Sequence, residues 1–193
     1  MNPSDAFHAR QMSLEAAFFG KVDADLLKNL RGELAALEEA HKMAHVSGIL
    51  DEQVLRDLVR AGVTAESMLA MRFVPMVHVA WSDRKMSPAE RAAVLKAAQA
   101  EDVAPNSPAY RVLQSWLERA PDAAIFAAWK DYIRELARVM PPESLTSLRE
   151  RTESLCYKVA RAAGGVLGIG SISQAEQAAI DECVGTWSGA KSP

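Results

Sequence analysis

Apolar residues recur every third or fourth position along almost the whole chain. Nowhere do they alternate with polar ones over a run bounded by turn residues. The first spacing buries one stripe of a helix, whereas alternation would bury one face of a strand. No Asn-Gly dipeptide offers a hairpin turn. The pattern therefore predicts an all-α fold, a compact multi-helix bundle of eight or nine helices.

Helix starts and stops divide the chain. The spacing predicts a first helix over Ser4–Gly20, with Phe7, Met12, Leu14, Phe18 and Phe19 as its apolar members. A second follows from Asp23 to about His45, where Leu26, Leu27, Leu30, Leu34 and Leu37 recur at helical spacing before Gly48. Asp51 and Thr64 read as N-caps, as do Ser87, Ser107 and Asp122. Pro75 is expected to bend the apolar helix that Thr64 opens. A long helix follows Pro141-Pro142, "GGVLGIGS" breaks it, and a last helix runs from Ser173 to about Val184. The organisation expected is residues 1–62 as N-terminal helices packing on the core, 63–186 as the main helical domain, and 187–193 as a tail. Trp81, Trp116 and Trp129 fall at apolar helical positions and belong to the core, while Trp187 falls in the tail.

Composition removes several function classes. Formal net charge is -3, without the basic excess of a nucleic-acid binder. Two cysteines, Cys156 and Cys183, make no disulfide framework, so reduced thiols and a cytoplasmic setting are expected. The N-terminus lacks a basic region followed by an apolar run. The most apolar stretch, "MLAMRFVPMVHVAW", carries Arg72, Pro75 and His78, too polar and too short to span a bilayer. "GGVLGIGS" follows a helix rather than a strand and no Lys-Ser/Thr succeeds it, so it is a connection and not a phosphate loop. No Gly-x-Ser-x-Gly elbow occurs, and no enzymatic activity is expected.

The stretch "VAWSDRKMSPAERAAVL", Val79 to Leu95, holds the most pointed local signal. An apolar helix ends at Trp81, Asp83 stands on the bend, and a new helix opens at Ser87. Ser87 and Glu90 have the spacing of a capping box, in which the serine oxygen accepts an early backbone N–H and the glutamate accepts the serine's own N–H. "SISQAEQAAI" (Ser171 to Ile180) repeats the device with Ser173 and Glu176. The echo points to a weak internal two-fold repeat.

These residues carry a family resemblance. "VAWSDRKMSPAERAAVLKAA" resembles the signature of the TerB-like domain, named for tellurite-resistance proteins, and "GIGSISQAEQAAIDEC" resembles its second half. The resemblance covers roughly Met68 to Cys183. It implies an all-helical bundle of two similar halves, a non-enzymatic module of a bacterial stress response, and a divalent cation, calcium or magnesium, held by Asp83 and Glu90. Arg84 stands where the family has glycine, and Ile169 occupies the position matching Asp83 in the second half.

A second cluster, "LEEAHKMAHVSG", places Glu38, His41 and His45 at helical spacing. Imidazole and carboxylate on one helix face are zinc or iron ligands in bundle metalloproteins, and these three form the alternative metal site, that of a metalloprotein or metalloenzyme. The third reading is a scaffold without metal. It would bind a protein partner, or pair with itself as a homodimer, through an exposed apolar stripe.

Overall fold

The computed structural model describes residues 3–163 and 172–189, with the side chains of 21, 24–162 and 172–187. Among the described residues there is no strand. The elements are α1 (Pro3–Ser47), α2 (Glu52–Arg60), a 3-10 helix (Ala65–Phe73), α3 (Val74–Ala80), α4 (Pro88–Ala100), α5 (Pro108–Glu118), α6 (Ala123–Val139), α7 (Pro142–Ala163) and α8 (Gln174–Gly189). The all-α expectation holds.

Every N-cap named from the sequence caps a helix. Asp51 accepts from the N–H groups of Gln53 and Val54, Thr64 from Ser67, Ser107 from Tyr110 and Asp122 from Ala124. Each satisfies donors that a helix start leaves without an intrahelical partner.

Three boundaries differ from expectation. The first two expected helices are one, since α1 runs unbroken through Gly20. Glycine inside a helix costs about 1 kcal/mol against alanine, which weakens a helix without ending it. Gly48 ends it instead, at φ +72°, with its N–H bonded to the Ala44 carbonyl. Pro75 does not bend a continuous helix. It is the second residue of α3, where its missing N–H has no acceptor to lose, and the segment before it is 3-10. Finally, α8 carries Trp187 into the core at 3% exposure instead of releasing it into a tail. The expected break at 164–171 and the last residues, 190–193, lie outside the described residues.

The chain forms two compact units, residues 1–39 and residues 40–193. The first is described here as a stretch of α1. The second holds a continuous core around α3, whose Val74, Pro75, Met76, Val77, Val79 and Ala80 are all buried. A helix buried on almost every side must be apolar all round, which is why no single stripe shows in its sequence. Around α3 pack α4, α6, α7 and α8.

The packing is symmetric under an exchange. Hairpin α3–α4 and hairpin α7–α8 swap places: α3 packs on α7, and each of α4 and α8 packs on both of them. Glu90 and Val94 of α4 correspond to Glu176 and Ile180 of α8, and all four are buried.

Candidate functional site

The bend between α3 and α4 is built by backbone geometry first. The Arg84 N–H bonds the Trp81 carbonyl at 2.9 Å, and Arg84 adopts φ +65°. This is the left-handed conformation that glycine takes without steric cost, so the bend keeps its shape although an arginine occupies it. The Asp83 carboxylate accepts the Lys85 N–H at 2.8 Å, a local turn in which the side chain replaces a carbonyl. Glu90 accepts the Ser87 N–H at 2.8 Å, and the Ser87 hydroxyl accepts the Glu90 N–H at 3.2 Å. The second capping box has the same form, with Glu176 to Ser173 at 2.7 Å and the return bond at 3.2 Å. Ile169 lies outside the described residues.

The bend also closes the far end of α5. The Trp81 Nε1–H donates to the Trp116 carbonyl at 2.8 Å, and Arg91 donates to the Leu117 carbonyl at 2.7 Å. The last carbonyls of a helix have no intrahelical donor, and here two side chains supply one. Asp83 is exposed and Glu90 is 4% exposed, so the two carboxylates stand in different surroundings. Each already accepts a backbone N–H. The Ser82 hydroxyl is buried with no hydrogen-bond partner among the described residues. Calcium takes about six to eight oxygens, and the bend has four side chains that carry them, Ser82, Asp83, Ser87 and Glu90.

An experiment separates capping from ion binding. Glu90→Ala is expected to lower the unfolding free energy by about 1 kcal/mol, the worth of half a capping box. The loss should be the same in EDTA and in millimolar calcium, measured by urea denaturation. A loss that grows when calcium is added would give the bend an ion.

Glu38, His41 and His45 all lie on α1 and all are exposed. One helix supplies all three. Among the described residues no group of three or more His, Cys, Asp or Glu side chains is placed to hold a metal ion.

A different polar cluster joins α3, α6 and α8. The His78 Nε2 lies 3.2 Å from the Glu182 carboxylate, and Lys130 donates to the other oxygen of Glu182 at 3.1 Å. The His78 ring stacks on Phe126 with centroids 3.8 Å apart and planes 3° from parallel, and the Lys130 ammonium sits 4.8 Å from the same ring. Burial pushes His78 below its ordinary value of 6.5, against the pull of Glu182. Against its own partial burial, Glu182 is held below its ordinary range by the Lys130 hydrogen bond and charge, then by His78. The sequence places His78 in an apolar stretch, and the structure leaves it half-buried. The sequence does not reveal the partner, which is 104 residues away.

The sign of the pH effect follows. As pH falls below 6.5, the unfolded chain protonates this histidine before the folded one does, so folding loses ground. Stability from this site is complete above pH 6.5 and declines as the pH approaches the lower folded-state value of His78. A melting series from pH 8 to pH 5 should show that decline, and His78→Gln should flatten it.

Cys156 and Cys183 are both free and buried. The hydrogen bond with Cys156, together with burial, pushes the Cys183 thiol well up. A thiol so held stays protonated and is no nucleophile.

In the 1–39 unit, Leu26, Leu27, Leu30, Leu34 and Leu37 are all exposed, the first at 55% and Leu34 at 61%. Leu27, Leu30, Leu34 and Leu37 are spaced three, four and three, the a and d positions of two heptads. Among the described residues no helix is long and apolar enough to cross a membrane. Comparisons with protein-family models, with curated proteins and with solved structures return no match to this chain.

Proposed function

We propose that this chain is a non-enzymatic helical interaction module, whose arm in α1 binds a helix bearing the same leucine seam. The observation that carries this reading is the row of exposed leucines at 27, 30, 34 and 37. A contiguous apolar stripe on a helix left open to water has a partner as its ordinary explanation. The partner committed to is a second copy of the arm. The spacing three-four-three reads the same in both directions, so an antiparallel copy places the partner's Leu37 on Leu27 and the partner's Leu34 on Leu30. Every leucine then meets a leucine, in the layers that knobs-into-holes packing requires. Sedimentation equilibrium on the whole chain, with and without charge placed in the seam, tests it.

The TerB-like resemblance of the bend and of its echo fits a binding module, since what those residues do in the fold is cap helices. The cation that the resemblance implies at Asp83 and Glu90 has one observation in its favour, the unpartnered Ser82 hydroxyl. Stress-response membership rests on the resemblance alone.

A further inference from the structure

Two hollows, of about 270 and 170 Å³, adjoin within the 40–193 unit, and both are lined by Arg72, Met140, Leu148 and Thr152. Their chemistry is uneven. The smaller is walled by Trp129, Ile133, Leu136 and Trp187, with the Tyr132 phenol at its edge. The larger adds Arg151 and Glu101, which neutralise each other through a 2.6 Å bond from Arg151 Nε. Thr152 is committed as well, since its hydroxyl donates to the Leu148 carbonyl at 2.8 Å.

That leaves Arg72. It stands exposed on the 3-10 helix, and no carboxylate among the described residues pairs with it. It lines both hollows, and its positive charge acts on the Tyr132 phenol that lines the smaller one. A fixed cation beside two tryptophans and a set of aliphatic side chains matches a ligand with one negative group and an apolar tail. The combined space falls at the lower end of the roughly 300–1,000 Å³ of ligand sites, so the tail is of modest length.

We propose that these joined hollows bind a small anionic amphiphile, a free medium-chain alkyl carboxylate. Its carboxylate takes the Arg72 guanidinium as a two-pronged partner, and its tail lies in the smaller hollow against Trp129, Ile133, Leu136 and Trp187. Arginine suits the role because its planar fork matches the two oxygens of a carboxylate. Met140 and Leu148, common to both hollows, form the passage between head and tail.

Titration of the intact chain with hexanoate, octanoate and decanoate, followed by tryptophan fluorescence and by calorimetry, tests the proposal. Binding should saturate below the concentration at which the ligand forms micelles. It should tighten about fourfold per added methylene, the value of burying one such group. Decanol, of equal length and no charge, should bind about tenfold more weakly. Arg72→Gln, a change at an exposed side chain, should remove the advantage of decanoate over decanol and leave decanol unaffected. Equal binding of decanoate and decanol by the unaltered chain would overturn the proposal, as would an unchanged preference in Arg72→Gln or no saturable binding. Binding to phosphatidylglycerol vesicles without binding of the free acids would also overturn it, by making the surface one for lipid headgroups.

Discussion

Trp129→Ala is expected to lower the unfolding free energy by about 3–5 kcal/mol, the usual cost of deleting a large buried aromatic side chain. Trp129 is 1% exposed on the inner face of α6. It meets Phe126 at 5.4 Å in a stacked arrangement and Trp187 at 6.2 Å edge to face. Such aromatic pairs add roughly 0.5–1.5 kcal/mol beyond the area they bury. A domain of this size holds about 5–15 kcal/mol in total, so the variant would keep only part of its stability. Urea denaturation measures the loss. A double-mutant cycle with Trp187→Leu should return a coupling energy, because the two rings touch. A loss under about 1 kcal/mol would mean that the site collapses onto the gap, and that these rings do not hold α6 to α8.

The second large effect concerns assembly. Leu30→Asp together with Leu34→Asp is expected to turn a dimer into a monomer, with dissociation favoured by at least about 100-fold. Each leucine buried at a seam contributes about 1.5–3 kcal/mol, and each copy loses two. Sedimentation equilibrium over the micromolar range gives the constants. The melting temperature of the 40–193 unit should stay where it was, since both positions belong to the 1–39 unit. A wild-type chain that sediments as a monomer throughout that range would end the proposal for the arm.

Local signals were legible and distant ones were not. Asp51, Thr64, Ser87, Ser107 and Asp122 could each be read as caps because a cap acts on residues two or three positions away. The paired capping boxes at Ser87–Glu90 and Ser173–Glu176 were visible for the same reason. Gly20 and Pro75 misled because their effect depends on position within a helix: glycine weakens an interior without breaking it, and proline near a first turn costs little. Trp187 read as tail because nothing near it in sequence shows the Trp129 ring it packs against. Periodicity placed the leucines of α1 on one face, but periodicity does not say what covers that face. The His78–Glu182–Lys130 cluster and the hollows beside Arg72 draw on three or more elements each, and no spacing along the chain encodes them.

The exchange symmetry of the two hairpins has a consequence for how the 40–193 unit comes apart. Each of α3–α4 and α7–α8 packs on the other pair as well as within itself, so each covers part of the other. Peeling one hairpin away would strip the apolar covering from both at once. Loss of order in these four helices is thus expected to be a single event, and a form with one hairpin detached would have nowhere to hide its oil.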